Sequence, residues 1–285
     1  MTVEVGLGGN NLGNDAFQYF SAYIYCKKHS LELITKPANS LLNIFQINYN
    51  KNKNLPNKNL PNKIINSSCY DHNNEIIYYG ENNYLFKGFF QNAEYINNNY
   101  TYLLENVKPI PYMCNLDYQI HDNDILCILR IGDFIHEGHN SEIVHPDYFL
   151  NILKSNTFDK VFFLIWPPND NESIEKYLNY FKEYNVIPLN RNRNELFDFH
   201  ITDYFKNLAF TNSTFNWWSC FFTKDIENKT IYMPKLMGSF GIGNHLRPHG
   251  NHVKNLWNIR NTSIPIDNKF INLKIDKNNK GPGEY

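Results

Sequence analysis

The sequence predicts an α/β fold made of two halves, each with a parallel sheet. Apolar runs typical of buried strands alternate with helical segments, and this alternation favours parallel strands covered on both faces. A length of 285 residues, 42% of them hydrophobic, is enough for two cores. We expect an N-terminal domain over residues 1–115 and a C-terminal domain with a tail over residues 116–285. The proline-containing repeat "NKNLPNKNLPNK" predicts a surface-loop insertion near residues 50–63, because it can form neither a helix nor a central strand.

The N-terminal half opens with a predicted strand, a glycine-rich turn and a helix. "TVEVGLG" alternates Val3 and Val5 as a strand does, and "NDAFQYFSAYIYCKKHS" places its aromatic residues on one helical stripe that ends in a basic turn. Glycines in the turn allow close approach of the backbone to a ligand. Their spacing is not that of a dinucleotide-binding loop, so these residues alone leave a ligand loop and a tight turn equally open.

The C-terminal half contains five apolar runs, which we predict to be buried strands. Two helical segments lie between them, "HPDYFLNILKS" and "NESIEKYLNYFKEY". The predicted strands are "DILCILRIG" (124–132), "KVFFLIW" (160–166), "NVIPL" (185–189), "NLAFTNS" (207–213) and "KTIYMP" (229–234).

The amino-acid composition limits the binding partners and the cellular compartment that we expect for this protein. Lys and Arg number 27 against 28 Asp and Glu, so no overall positive field attracts nucleic acid or an anionic membrane, and an anionic ligand must be held locally. The five cysteines are scattered without a metal-binding spacing, which indicates free thiols in a reducing compartment. The opening residues alternate Val3 and Val5 and run directly into a glycine-rich turn, so we expect no signal peptide. No 18 apolar residues run together, and we therefore expect a cytoplasmic protein.

Ligands of open parallel sheets bind at the carboxyl ends of the strands, and one candidate residue there is Arg130. Arg130 and Asp133 flank Gly132 just past the strand that begins at residue 124. A guanidinium in this position is suited to a bidentate contact with an anion. The alternative is a salt bridge between Arg130 and Asp133 at the sheet edge.

The second candidate is the stretch "TNSTFNWW", which follows the strand at 207–213. It supplies the hydroxyls of Ser213 and Thr214, the backbone amides of a helix start, and Asn212 as a possible cap. This combination suits a diphosphate. The alternative is an ordinary helix cap in front of Trp217 and Trp218 as core residues.

The stretch Asp122-Asn123-Asp124 matches the Asp-x-Asp pattern with which many nucleotide-sugar enzymes hold a divalent metal. It precedes a predicted strand, however, and therefore lies at the amino end of the sheet, away from the ligand edge. We interpret it as a turn and predict no metal site.

Four segments resemble, in order, the motifs of the α-1,2-fucosyltransferases of glycosyltransferase family 11. The resemblance also extends to the wider group of α-1,6- and protein O-fucosyltransferases, which have a run similar to Arg130-Ile131-Gly132. The four segments are "NLGNDAFQY" (11–19), "KGFFQNAEYI" (87–96), "ILRIGDF" (128–134) and "DFHITDYFKNLAFTNSTFNWWSCFF" (198–222).

The resemblance implies a GT-B fold, in which two Rossmann-like halves face a cleft. It implies inverting transfer of fucose from GDP-fucose to a galactose-like hydroxyl of a glycan, without a metal or a resident cofactor. The acceptor would bind towards the N-terminal half and the donor in the C-terminal half. In the donor site, Arg130 would contact the β-phosphate and Asp198 would help to fix the nucleoside. The other implied donor contacts are Gly13, Asn14, Asn212, Ser213, Thr214 and Phe215, and Asn14 matches an asparagine beside the reacting centre.

The chain departs from the family pattern at several positions. Ile128 replaces a histidine, Ile131 replaces a second arginine, and "WPPND" (166–170) replaces Ser-Asp-Asp. These changes leave two other hypotheses open: a transferase of the same fold that uses another nucleotide deoxysugar, and a catalytically silent binder of nucleotides or sugars.

We expect the catalytic base that deprotonates the acceptor hydroxyl to follow Arg130 closely in the sequence. Asp133, His136 and Glu137 all lie there, at the predicted ligand edge. Our hypothesis is that Glu137 or His136 is the base and that Asp133 orients the loop. A solvated loop without a catalytic role is the alternative for His136 and Glu137.

Overall fold

The computed structural model describes residues 1–7, 12–47, 49, 60–131, 143–166, 171–189, 194–235, 259, 263–267 and 270–271. The chain divides into two compact units, Met1–Pro111 and Tyr112–Tyr285, and each contains a parallel sheet. The prediction of a mixed α/β fold with parallel sheets is therefore confirmed. None of the described helices is both long and apolar enough to cross a membrane.

The N-terminal unit is built on a four-stranded parallel sheet with the order β2-β1-β5-β4, beside a small antiparallel pair, β3 and β6. Its strands are β1 (Thr2–Val5), β2 (Glu32–Leu33), β3 (Phe45–Ile47), β4 (Asn62–Asn66), β5 (Asn83–Lys87) and β6 (Val107–Pro109). Its helices are α1 (Leu12–Lys28), α2 (Asn39–Ile44), α3 (Ala93–Asn97) and α4 (Tyr100–Asn106).

Helix α1 forms as predicted and packs against this sheet. Its aromatic residues are buried except for the half-buried Tyr23, and Tyr25 meets the ring of Phe86 on β5 edge-on at a centroid distance of 5.3 Å. Lys27 and Lys28 lie in the last turn, where positive charge is favoured by the helix dipole. Strands β4 and β5 lie in a region that the sequence indicated only as loop-rich, because both are short and flanked by asparagines.

The C-terminal unit is built on a six-stranded parallel sheet with the order β10-β9-β7-β11-β12-β13, beside a small antiparallel pair, β8 and β14. Its strands are β7 (Ile125–Arg130), β8 (Ile143–Val144), β9 (Val161–Trp166), β10 (Val186–Pro188), β11 (Asn207–Phe210), β12 (Thr230–Pro234), β13 (Ser263–Ile266) and β14 (Phe270–Ile271). Its helices are α5 (Asp147–Ser155), α6 (Asn171–Leu178), α7 (Glu195–His200) and α8 (Thr214–Phe221).

All five strands predicted for this half are present, as β7, β9, β10, β11 and β12. Strand β13 was not predicted. It has only four residues, one of which is Pro265, and it forms by pairing in parallel with β12. Proline is tolerated there because β13 lies at the edge of the sheet.

The strand order has a switch point between β7 and β11. Strands β9 and β10 lie on one side of β7, and β11, which follows them in sequence, lies on the other side of β7. This is the 3-2-1-4-5-6 order of doubly wound Rossmann sheets. In such sheets ligands bind in the crevice at the carboxyl ends of the two strands that flank the switch point.

The two faces of this sheet are covered by different segments of the chain. Cys127 and Phe163 point into a core formed with α5 and α6, including Phe149 at a ring distance of 5.4 Å from Phe163. On the opposite face, Phe162 packs edge-on against Phe205, which follows α7, at 5.2 Å. Side chains alternate along a strand, so Ile128 and Arg130 share the face of Phe162.

Buried polar side chains hold the segment that joins α7 to β11. Lys229, at 9% exposure, donates through Nζ to the carbonyl oxygens of Thr202 (3.0 Å), Asp203 (3.2 Å) and Phe205 (2.6 Å). The carboxylate of Asp203 accepts from the backbone N–H of Lys224 at 2.9 Å and lies 3.2 Å from Nδ1 of His200. Burial raises the pKa of Asp203, but the hydrogen bonds from His200 and Lys224 outweigh burial and lower the pKa below its usual value.

We predict that Asp203→Asn destabilises the protein at neutral pH by about 1.5–3 kcal/mol, the scale of a charge-assisted hydrogen bond. A carboxyl group whose pKa is lowered by folding contributes stability above its unfolded pKa of about 4 and loses that contribution as pH falls through the folded value. The difference between the two proteins should therefore shrink below pH of about 4. Urea unfolding of both proteins at neutral and acidic pH measures it, and a difference that is constant with pH would contradict this account.

Candidate functional site

The structure brings Arg130 and the stretch after β11 together at the switch point. Arg130 is the half-buried last residue of β7, and its backbone N–H donates to the hydroxyl of Thr211 at 3.0 Å. The N–H of Thr211 donates in turn to the carbonyl oxygen of Ile128 at 3.0 Å, and its hydroxyl lies 3.3 Å from the same oxygen. Two predicted site segments that are some 80 residues apart in sequence therefore meet at one sheet edge.

The helix that follows begins with a serine cap. Ser213 has extended backbone angles (φ −150°, ψ 122°), and its hydroxyl accepts from the N–H of Asn216 at 3.3 Å. The expectation that Asn212 caps the helix is wrong, because helical geometry begins at Thr214 and the cap position falls on Ser213. The first N–H groups of an α-helix have no partner within the helix, so the start of α8 is suited to an anion.

The tryptophans of this stretch belong to the core. Trp217 and Trp218 are both fully buried. Trp217 stacks on Phe221 at 5.1 Å, and Trp218 stacks on Phe222 at 5.9 Å. They support the turn at Ser213 from within the protein and present no face to a ligand.

Asp198 lies on the helix next to this turn. It is 4% exposed in the first turn of α7, whose cap is Asn194, the side-chain acceptor for the N–H of Phe197 at 2.9 Å. The neighbouring Phe199 meets Phe215 edge-on at 6.0 Å, so α7 and α8 are adjacent. A buried carboxylate therefore lies on the helix next to the predicted diphosphate turn.

Burial raises the pKa of the Cys114 thiol to about 12, and the charges of Asp203 and Asp198 add to the effect. The Cys114 thiol is held at 3.6 Å from the carbonyl oxygen of Phe197. Cys114 is therefore a protonated, structural cysteine beside α7.

The N-terminal unit has its own polar cluster at a carboxyl edge. Asn14 lies in the first turn of α1, after β1, and its Oδ1 accepts from Nε2 of Gln91 at 2.7 Å. Gln91 follows β5, the parallel neighbour of β1. The structure thus joins two of the four motifs through one hydrogen bond. Gly13, next to Asn14, is buried within α1, and the carboxylate of Asp15 accepts from the Ser40 hydroxyl at 3.0 Å.

Strained backbone precedes Gln91. Phe90 has a φ of +50°, which is rare for a bulky residue, and it is held there by burial and by stacking on Phe86 at 5.0 Å. Gly88 has a φ of +112°, and a Cβ added there would come within 3.0 Å of the Ser67 hydroxyl oxygen. Such strain is frequent at functional sites, where the surrounding packing maintains it. Here it directs the chain so that Gln91 meets Asn14.

Thr211 and Gln91 are not among the site residues that the sequence predicts. Both lie within segments that carry the family resemblance, Gln91 in 87–96 and Thr211 in 198–222. Membership of these segments is the one feature of the sequence that marks them as candidates. Their roles depend on partners distant in sequence, which the motifs alone do not name.

Asp133, His136 and Glu137 lie outside the described residues, as do Gly132 and residues 167–170 of "WPPND". The Asp122-Asn123-Asp124 stretch lies in a turn before β7, at the amino end of the sheet. Asp122 pairs there with Lys206, and the Asp124 carboxylate accepts from the N–H of His121 at 2.8 Å.

The chain matches no known protein-family model, and no curated protein matches it significantly.

We predict that Thr211→Val destabilises the protein by about 1–2 kcal/mol, because it removes the hydroxyl that accepts from the N–H of the half-buried Arg130. Thr211→Ser retains the hydroxyl and is the matched control, expected to lose less stability. Urea unfolding of the three proteins measures the difference. Equal stability of the valine and serine variants would show that the hydroxyl does not hold the end of β7.

Proposed function

We propose that the protein is an inverting glycosyltransferase of the GT-B class that transfers fucose from GDP-fucose to a galactose-like hydroxyl of a glycan. One observation carries the proposal. Arg130 and the turn at Ser213 lie side by side at the switch point of a doubly wound sheet, which is where such sheets bind nucleotides. The four-motif resemblance supports the choice of donor.

The proposed donor site uses both sides of the switch point. The N-terminal amides of α8, with the hydroxyls of Ser213 and Thr214, bind the diphosphate, and Asp198 on the adjacent helix fixes the nucleoside. Arg130, at the end of β7, contacts the β-phosphate. The resemblance also implies a role in the reaction for Asn14, whose carboxamide is oriented by Gln91 within the N-terminal unit.

The reaction is a displacement at the anomeric carbon of the donor sugar. The acceptor oxygen forms a bond to this carbon while the bond from the carbon to the β-phosphate oxygen breaks, and the electron pair remains on the nucleotide. Arg130 stabilises the negative charge that grows on the departing phosphate. The proton of the acceptor hydroxyl passes to a base, which we propose is Glu137 or His136, with Asp133 orienting the loop.

A second candidate is a transferase of the same fold with a different nucleotide deoxysugar. Ile128, which replaces the family histidine, is 1% exposed within β7, so this position supplies no polar contact to a nucleotide. A catalytically silent binder of nucleotides or sugars is the third candidate.

Calorimetry with GDP, UDP and dTDP separates the three candidates. We expect binding of GDP, and transfer from GDP-fucose that is unchanged in EDTA because the proposed charge stabilisation comes from Arg130 rather than a metal. Tight binding of UDP or dTDP but not of GDP would favour the second candidate. Binding of a nucleotide without any sugar transfer would favour the third candidate. If no nucleotide binds, the proposed function is wrong.

We predict that Arg130→Ala lowers the turnover number by roughly a hundredfold or more, because its contact strengthens as the sugar–phosphate bond breaks. Lys206→Ala is the control, since Lys206 is an exposed cation at the amino end of the same sheet. Steady-state kinetics and a thermal melt of each variant measure the effect. A folded Arg130→Ala protein with near-normal turnover would contradict this role.

A further inference from the structure

Trp166 is an exposed tryptophan at the ligand edge of the C-terminal sheet. It is the last residue of β9 and is 42% exposed, whereas the preceding Ile165 is 6% exposed. The sequence continues with Pro167, and a residue before proline is restricted to extended backbone, as at the end of a strand. A large apolar side chain is thus exposed at the surface, beside the predicted ligand site.

Trp166 is the direct neighbour of Arg130. The two residues are in register on adjacent parallel strands, and the carbonyl oxygen of Trp166 accepts from the N–H of Ile131 at 2.8 Å. Residues in register project from the same face of a sheet. The indole and the guanidinium therefore share one face, which is also the face on which Phe162 contacts Phe205, a residue of the segment that joins α7 to β11.

The order of the strands gives the indole a definite place relative to a bound donor. Along the carboxyl edge, Trp166 on β9 is followed by Arg130 on β7 and then by the turn at Ser213 after β11. In the proposed function, the turn holds the diphosphate, Asp198 lies on the nucleoside side, and Arg130 contacts the β-phosphate. In a nucleotide sugar the sugar is attached to the β-phosphate, on the side away from the nucleoside. Along the sheet edge, Trp166 lies on the side of Arg130 away from the turn at Ser213, so the sugar is expected near Trp166.

We propose that Trp166 is a platform for the apolar C–H face of a pyranose ring beside the β-phosphate. An indole offers a broad, rigid apolar surface, and a hexose or deoxyhexose has one ring face made mainly of C–H groups. Stacking of the two orients the sugar at low cost in side-chain entropy. The inference rests on the proposed function and deepens it, since it assigns a residue that recognises the sugar rather than the nucleotide.

The ring could belong to the donor or to the acceptor, and binding measurements distinguish the two sources. The variants are Trp166→Leu, which removes the aromatic face, and Trp166→Phe, which retains a smaller one. Tyr118→Leu is the matched control, because Tyr118 is 44% exposed and contacts Phe162 near the amino end of the same strand. A thermal melt of each variant confirms that it is folded.

If the donor sugar stacks on Trp166, Trp166→Leu should weaken binding of GDP-fucose by about fivefold or more and leave binding of GDP unchanged. If the acceptor sugar stacks there, donor binding should be unchanged while the KM for lactose, used as a galactose-terminated probe, rises by a similar factor. In both cases Trp166→Phe should lie between wild type and Trp166→Leu, and Tyr118→Leu should match wild type.

Two results would overturn the platform while leaving the proposed function intact. One is a Trp166→Leu protein that matches wild type in all three measurements. The other is an equal loss of affinity for GDP and GDP-fucose, which would indicate stacking on the base. Failure of the wild-type protein to bind any nucleotide would instead overturn the proposed function, and the platform with it.

Discussion

The hydrogen bond between the N–H of Arg130 and the hydroxyl of Thr211 joins the two strands on which the candidate site depends. It closes the parallel pairing of β7 and β11 at the switch point of the sheet. Because the Thr211 hydroxyl also lies within hydrogen-bonding distance of the Ile128 carbonyl oxygen, the start of α8 is tied to the end of β7. The position of the end of β7 relative to the start of α8 is thus set by hydrogen bonds between backbone groups and the hydroxyl of Thr211.

A comparable constraint operates in the N-terminal unit. There, too, the polar pair forms where two parallel strands end, and Asn14 and Gln91 orient each other's carboxamides. The strained Phe90 is stabilised by its aromatic contact with Phe86, so packing energy maintains the turn that positions Gln91. Each unit therefore presents polar groups at the carboxyl edge of its parallel sheet, which is where ligands of such sheets bind.

The core and the site are built from the same segments. The stretch after β11 supplies Ser213 as the helix cap, and four residues later it supplies Trp217 to the core. Likewise, α7 carries Asp198 next to the turn, while Lys229 and Asp203 fix the chain that leads from α7 into β11. Substitutions that disturb this packing would move the candidate ligand groups, even where they do not touch a ligand.

The sequence by itself determined five strands of the C-terminal half (β7, β9, β10, β11 and β12), helix α1 and the carboxyl-end position of Arg130, because long apolar runs and helical periodicity are local signals. It did not determine β13, β4 or β5, which are short and exist only through pairing with other strands. The helix cap fell on Ser213 rather than Asn212, a difference of one residue that depends on backbone angles. Only the tertiary structure decided that Thr211 holds Arg130, that Gln91 meets Asn14 and that Trp166 stands beside Arg130, because these contacts join residues far apart in sequence.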